Sequence, residues 1–296
     1  MACVRLLFLF AAILTTFPPS HAGEIATYWG QNAKEGNLSA ACATGIYSYI
    51  NLAFLNVFGN GQAPKINFTG HCNRSTGGCK ALGSEIVNCQ KNGVKVLLSI
   101  GGSAGSYKLS SKADANKVGS YLWKNFLGGT STSGPLGSAA LDGVDFHIAM
   151  GSGRYYADLA KYLRRKSTRG GRKVYLTAAP RCSFPDARVG KSLQTGFFDN
   201  VWVQFFDNPS CQYDSGNITK LLRSWSSWNS SVNAGKFFLG LPASKGAARS
   251  GYVLPGELAW DVLPRIKPSR TYGGVALWSR YEDEQSGYSS IIKNTV

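Results

Sequence analysis

Two titratable side chains share one face of a predicted strand in segment 141–149, whose sequence is LDGVDFHIA. Side chains of a strand alternate between its faces, so Asp145, His147 and Ala149 point to one side and apolar residues point to the other. A carboxylate and an imidazole are groups that enzymes use for general acid–base catalysis. His147 is awkwardly placed to act as an acid because it lies one step before the strand end, and Ala149 has no proton to give. This segment therefore decides whether the chain is an enzyme or a binding protein.

Side chains suited to sugar binding stand at the ends of other predicted strands. They combine aromatic faces with amide and hydroxyl groups and carry little charge. Sugar rings stack on aromatic rings, and amides pair with sugar hydroxyl groups. For Trp278, its place at a strand end favours a binding role over ordinary core packing. The candidate ligand-binding residues are Tyr28, Gln31, Asn67, Ser103, Asp145, Gln204 and Trp278.

Short apolar, β-rich runs that alternate with helical stretches must position these residues. The predicted strands are 24–29, 49–57, 95–100, 143–148, 174–178, 201–204, 237–241 and 274–278, and predicted helices include 113–126, 155–165, 218–228 and 256–266. This alternation predicts parallel strands, and eight units fit a single α/β domain, a (β/α)8 TIM barrel. A doubly wound open sheet is disfavoured because no glycine-rich phosphate loop follows the first strand. In a TIM barrel, functional residues lie at the carboxyl ends of the strands.

Residues 1–22 have the composition of a secretory signal peptide. Arg5 precedes the apolar run 6–14, and the segment ends in the small residue Ala22. A membrane anchor is disfavoured because this run is too short to span a bilayer. We expect residues 23–296 to form the mature TIM-barrel domain, secreted to the extracellular space or to a vacuolar or seed storage compartment.

The cysteines fit a secreted protein. Six remain after the predicted signal, and an even number predicts three disulfides. Fifteen pairings are possible, of which the spacing favours Cys72–Cys79 nested inside Cys42–Cys89, with Cys182–Cys211 separate. A zinc site is disfavoured by the lack of closely spaced cysteine pairs, and we expect no metal and no cofactor. Sequons for N-glycosylation occur at Asn37, Asn67, Asn73, Asn217 and Asn229.

The formal net charge of +16 favours anionic surfaces as partners. The densest basic stretch is segment 161–173, with seven lysines and arginines. A solvated outer helix explains this stretch better than a binding surface does. The predicted signal peptide and the lack of a recognisable motif argue against nucleic acid.

Several strand-end motifs carry a resemblance to a known family over essentially the whole mature chain. They are YWGQN at 28–32, SIGG at 99–102, DGVDF at 142–146, WVQF at 202–205, Asn208-Pro209 and LWS at 277–279, together with the six cysteines. The chain resembles the plant class III chitinases, the hevamine-like branch of the family 18 glycoside hydrolases. The resemblance implies a TIM barrel, a secreted plant defence protein, the nested disulfides and a cleft for N-acetylglucosamine polymers. It also implies cis peptide bonds at Ala53–Phe54 and Trp278–Ser279.

The resemblance implies a mechanism whose working groups this sequence replaces. In the family, the strand ends Asp-x-Asp-x-Glu, the glutamic acid protonates the leaving oxygen, and the substrate acetamide attacks the anomeric carbon. The second aspartate and a tyrosine after the sixth strand steer and stabilise that acetamide. In this sequence Asp145 matches the first aspartate, whereas His147, Ala149 and Phe206 occupy the positions of the second aspartate, the glutamate and the tyrosine.

These substitutions predict a protein that is not an enzyme. Loss of a positioned general acid costs about 10²–10⁴-fold in rate, and a charged His147 would repel a developing oxazolinium ion. We therefore expect a chitinase-like lectin that binds N-acetylglucosamine oligosaccharides or chitin without hydrolysing them, with a roomier subsite beside Ala149. The alternatives are an inhibitor of xylanases or amylases, whose partner would be a foreign glycoside hydrolase, and a residual weak chitinase.

Overall fold

The computed structural model describes residues 23–72, 78–128 and 134–296, and its centre is a closed barrel of eight parallel strands. The barrel strands are β1 (Glu24–Trp29), β2 (Tyr49–Gly59), β4 (Lys95–Gly101), β6 (Gly143–His147), β7 (Tyr175–Ala178), β8 (Asn200–Gln204), β9 (Lys236–Pro242) and β10 (Tyr272–Trp278). β1 pairs with both β10 and β2, which closes the barrel. The predicted (β/α)8 TIM barrel is confirmed.

Helices surround the barrel and cover its outer face. They are α1 (Leu38–Ala43), α2 (Leu82–Lys91), α3 (Lys112–Phe126), α4 (Tyr156–Arg169), α5 (Gly190–Leu193), α6 (Thr219–Ser231), α7 (Pro255–Glu257), α8 (Leu263–Ile266), α9 (Arg280–Ser286) and α10 (Tyr288–Ile292). α4 shows the amphipathic pattern that such helices need: Leu159 and Leu163 are buried, while Lys161 and Arg165 are exposed. The basic stretch therefore lies largely on an outer, solvated helix face.

Two regions depart from the predicted pattern. β2 is longer than predicted and forms an antiparallel hairpin with β3 (Gln62–Ile66), while the short β5 (Ser106–Tyr107) adds to β2 beyond the barrel. The predicted helix 256–266 is divided: the π-helical turn Leu258–Val262 separates α7 from α8. A π turn inserts an additional residue, which a search for the 3.6-residue period does not detect.

The barrel interior is filled by aromatic rings. Trp202 packs against Phe238 and Tyr49, with centroid distances of 4.5 Å and 5.4 Å. These rings belong to an inner core that is separate from the larger apolar layer between strands and helices. A lumen packed in this way is closed along its axis, so any open cleft has to lie at one end.

The structure has the three disulfides that the spacing favoured. Cys42–Cys89 joins α1 to α2, Cys72–Cys79 closes a short loop inside it, and Cys182–Cys211 joins the loops that follow β7 and β8. The predicted signal peptide, 1–22, and the sequon at Asn73 lie outside the described residues. Among the helices of the described ranges, none has the length and apolarity to cross a membrane.

Candidate functional site

Asp145 lies inside the barrel and accepts four hydrogen bonds. Oδ2 receives the hydroxyls of Tyr28 at 3.0 Å and Ser99 at 2.7 Å, and Oδ1 receives the Thr177 hydroxyl at 2.8 Å and the Trp202 indole N–H at 3.0 Å. Burial raises the pKa of Asp145, although these hydrogen bonds act in the opposite direction. Burial and the neighbouring Asp145 charge raise the pKa of Tyr28 as well, so its hydroxyl stays protonated. All four hydrogen bonds that the Asp145 carboxylate accepts therefore come from side chains inside the barrel.

His147 is enclosed by aromatic rings at the end of β6. Its ring centroid lies 5.3 Å from that of Tyr28, 5.1 Å from that of Phe54 and 6.1 Å from that of Trp278. Its Nδ1 atom is buried and has no hydrogen-bond partner in the structure. Burial, helped by the positive charge of Arg181, lowers the pKa of His147 to about 4. The imidazole is therefore neutral near pH 6 and does not carry the charge that would repel an oxazolinium ion.

The backbone beyond His147 is held by Tyr107, which sequence reasoning missed. The Tyr107 hydroxyl donates to the Gly102 carbonyl at 2.5 Å and accepts from the N–H groups of Ala149 at 3.2 Å and Met150 at 2.9 Å. Gly101 lies close to this turn with φ +107°, and a Cβ atom there would stand 2.3 Å from the His147 carbonyl oxygen. Only glycine allows β4 and β6 to approach so closely.

A cavity at the carboxyl ends of the strands brings five of the predicted positions together. Its lining includes Tyr28, His147, Gln204, Phe206 and Trp278, and its volume is about 10 Å³. The imidazole and its neighbouring rings occupy much of this space. The expectation of a roomier subsite beside Ala149 stays a prediction. Ala149 does not line the cavity, so its small side chain does not enlarge it.

Three other predicted binding residues lie away from this cavity. The Gln31 side-chain amide donates to the carbonyl oxygens of Ala53 at 2.6 Å and Asn67 at 3.3 Å, so it ties loops together. The Asn67 side chain is exposed, and its Oδ1 accepts the Thr69 N–H at 3.0 Å. Ser103 is exposed in the loop after β4. These residues flank the strand ends without lining the cavity.

Glu35 is a second buried carboxylate that sequence reasoning missed. Its Oε1 accepts the backbone N–H groups of Gly30 at 2.7 Å and Asn32 at 2.9 Å, and it contacts Nε2 of His71 at 3.0 Å. The His71 ring also packs on Trp29, with centroids 4.1 Å apart. Glu35 thereby fixes the loop after β1, which carries Gln31.

The partners of Asp145 could have been found from strand alternation. Ser99, Thr177 and Trp202 all fall inside predicted strands, on the inward face that Asp145 shares. Polar residues on an inward face are uncommon unless they bond to one another. No comparable signal marks Tyr107, because it lies in β5, a strand of only two residues.

The peptide bonds Ala53–Phe54 and Trp278–Ser279 are cis, as the resemblance implied, and Phe184–Pro185 is cis as well. Phe54 and Trp278 stack with centroids 6.2 Å apart and form one wall around His147. Within the ranges that the structure describes, no cluster of His, Cys, Asp and Glu is arranged to hold a metal ion.

An aromatic cleft at the carboxyl end of a closed barrel is the arrangement of a TIM-barrel glycoside-binding protein, and the chain belongs to the glycosyl hydrolases family 18, whose profile matches residues 24–251. It is 56% identical to an acidic endochitinase of Vitis vinifera over 98% of this chain and 97% of that relative. A chitinase structure from Ipomoea carnea is 50% identical with a TM-score of 0.90 and covers 93% of this chain and 100% of its own. A xylanase and α-amylase inhibitor structure from Scadoxus multiflorus is 42% identical with a TM-score of 0.87, covering 93% and 99%.

These relatives contradict the predicted lectin and the predicted lack of enzyme activity. Four plant proteins that are 50–56% identical to the chain over nearly its whole length are named acidic endochitinases. The prediction rested on the replaced positions His147, Ala149 and Phe206, and the names of relatives this similar outweigh it. Family 18 proteins take chitin or N-acetylglucosamine oligosaccharides as substrates. A foreign glycoside hydrolase as a partner is not shown.

Proposed function

We propose that this protein is an endo-acting chitinase that hydrolyses polymers of N-acetylglucosamine. The observation that carries the proposal is its 56% identity to an acidic endochitinase over 98% of the chain. The position of the cleft supports it, because Tyr28, Gln204 and Trp278 offer two aromatic faces and an amide at the carboxyl ends of the strands.

In this proposal, His147 orients the substrate acetamide. A neutral imidazole has one nitrogen that can accept a hydrogen bond, and the buried, unpaired Nδ1 of His147 becomes available for that purpose once the surrounding rings separate. An acetamide N–H that donates to this atom turns its carbonyl oxygen toward the anomeric carbon. The neutral ring also avoids the repulsion that a charged imidazole would exert on the oxazolinium ion.

Proton transfer to the leaving oxygen is the slow step of the proposed reaction. Ala149 supplies no acid, and Asp145 is fully occupied by four donors inside the barrel. Solvent then has to protonate the leaving group. Substrates with an acidic phenol as the leaving group need little protonation, so they should be cleaved much faster than natural sugar chains.

Substrate entry requires side-chain movement. A space of about 10 Å³ holds about one water molecule, so a substrate acetamide reaches the buried Nδ1 of His147 only if the rings around it separate. Trp278 and His147 are half-buried, and their outward displacement is the simplest opening.

Proposed secretion of the mature chain fits with the three disulfides, which persist in oxidising compartments.

The test is hydrolysis of chitohexaose and of an aryl chitotrioside by the purified full chain, followed by chromatography and fluorescence. We expect turnover of both, with the aryl substrate faster. His147→Phe keeps a ring and loses the acceptor, so it should be inactive, whereas His147→Gln keeps an acceptor and should retain part of the rate. The proposal would be overturned if the wild type hydrolysed chitohexaose no faster than the His147→Phe preparation does.

A further inference from the structure

Trp260 is the most exposed large apolar side chain among the described residues. It is 87% exposed, compared with 60% for Ile291 and 55% for Leu254. The other six tryptophans are buried or half-buried. Single exposed apolar side chains are common on protein surfaces, but tryptophan is enriched where proteins meet their partners.

The local backbone directs this ring outward. Trp260 is the middle residue of the π-helical turn Leu258–Val262, in which Leu258 and Val262 are buried toward the barrel. Single π turns within helices occur frequently at functional sites. The irregular turn and the exposed indole coincide at one position.

The segment that carries Trp260 is joined to the cleft end of the barrel. The loop that leads to it leaves the carboxyl end of β9, and its Arg249 N–H donates to Asp207 Oδ1 at 2.8 Å, next to Phe206 of the cavity. One turn before Trp260, Glu257 accepts the Ser215 hydroxyl at 3.5 Å, and Ser215 belongs to the loop after β8. Both contacts join the segment to loops at the carboxyl ends of the strands.

The surroundings of the ring fit a sugar. The neighbouring Asp261 carboxylate contacts Arg265 Nε at 3.2 Å, and both side chains remain partly exposed, so they can exchange hydrogen bonds with hydroxyl groups. A single indole matches the face of one pyranose ring. It is much smaller than the surface of about 800 Å² per partner that a stable protein interface needs.

We propose that Trp260 is a second binding position for N-acetylglucosamine polymer, outside the cleft, at which one sugar ring stacks on the indole. The identity of the polymer rests on the proposed function. Contact at this position holds a chain of an insoluble polymer near the cleft end of the barrel. It adds affinity for long or insoluble polymer and none for a short substrate that fills the cleft alone.

The test is depletion of the full chain by insoluble chitin particles at low temperature. Trp260→Ala should bind about five- to tenfold more weakly, and Trp260→Tyr should keep most of the affinity. Ile291→Ala is the matched control, because it also removes an exposed apolar side chain, and it should bind as the wild type does. Equal binding by Trp260→Ala and the wild type, or no binding by either, would overturn the inference.

Hydrolysis of the soluble aryl chitotrioside separates this inference from the proposed function. Trp260→Ala should cleave it at the wild-type rate. If the wild type cleaves nothing while Trp260→Ala still loses binding to chitin, the surface site is supported and the proposed chitinase activity is refuted. If the wild type cleaves the substrate and binding to chitin does not depend on Trp260, only the surface site is refuted.

Discussion

The imidazole of His147 stands edge-on to the phenol ring of Tyr28, with an interplanar angle of 88° and centroids 5.3 Å apart. The Tyr28 hydroxyl in turn bonds to Asp145, two residues before His147 on the same face of β6. One tyrosine therefore connects the buried carboxylate with the imidazole at the cleft. This connection fixes the floor of the site while His147 remains neutral.

The neutral state of His147 makes stability depend on pH. Its pKa is lowered to about 4 in the folded protein, whereas an unfolded histidine titrates near 6.5. The unfolded chain therefore binds the extra proton between these values. The stabilisation is complete above about pH 6.5, falls as the pH drops to 4, and amounts to about 3 kcal/mol at most.

Urea unfolding at pH 7.5, 5.5 and 4.5 measures this effect. The free energy of unfolding should fall more steeply toward low pH in the wild type than in His147→Gln, which has no titrating ring. His147→Phe also lacks a titrating ring and should show the same reduced slope as His147→Gln. Parallel pH dependence in the wild type and His147→Gln would contradict the assignment.

Restoring an acid at position 149 should accelerate hydrolysis. Ala149→Glu should raise kcat on chitohexaose by about 10²–10⁴-fold, because protonation of the leaving oxygen would no longer depend on solvent. The triple variant with His147→Asp and Phe206→Tyr should be faster still. The aryl substrate should gain much less than chitohexaose, and an equal gain on both would show that protonation is not the limiting step.

The hydrogen bonds to Asp145 should make it a main determinant of stability. Asp145→Ala leaves the donors of Tyr28, Ser99, Thr177 and Trp202 without their acceptor, so the free energy of unfolding should fall by about 3 kcal/mol or more. Ser99→Ala removes one donor only and should cost about 1 kcal/mol. Chemical denaturation measures both. A smaller loss for Asp145→Ala than for Ser99→Ala would be incompatible with this network.

The three disulfides should contribute in the order of the loops they close. Sequence separations of 47, 29 and 7 residues predict losses of about 4.1, 3.6 and 2.4 kcal/mol for the corresponding Cys→Ser pairs in the chain-entropy model. Thermal unfolding of the three double variants tests this order. Greater destabilisation by Cys72→Ser/Cys79→Ser than by Cys42→Ser/Cys89→Ser would show that native-state contacts dominate over loop entropy.

The barrel could be predicted from the sequence because each strand is a short apolar run, and the turn residues on either side mark where the strand begins and ends. The predicted 24–29 matches β1, Glu24–Trp29, without a shift. The β2–β3 hairpin was missed, since Gln62–Ile66 alternates exposed and half-buried side chains and lacks an apolar run. The π-helical turn was missed because one inserted residue disturbs a helical pattern only slightly.

The candidate site was predicted in part. Strand ends identified Tyr28, Gln204 and Trp278, because a closed barrel gathers its carboxyl ends around one cleft. The state of His147 could not be predicted, since its pKa depends on rings contributed by three other strands. The function was misjudged because it was predicted from three replaced positions, whereas relatives 50–56% identical over nearly the whole chain are named acidic endochitinases.

Trp202 gives the barrel one further property. Its indole N–H is held by Asp145 at 3.0 Å and Thr177 at 3.2 Å beneath the cleft, and its ring fills the lumen beside Phe238. Water can therefore reach Asp145 only if the barrel opens widely at one of its ends. In deuterated solvent this indole proton should be among the last to exchange, which makes it a natural spectroscopic reporter of breathing at the base of the cleft.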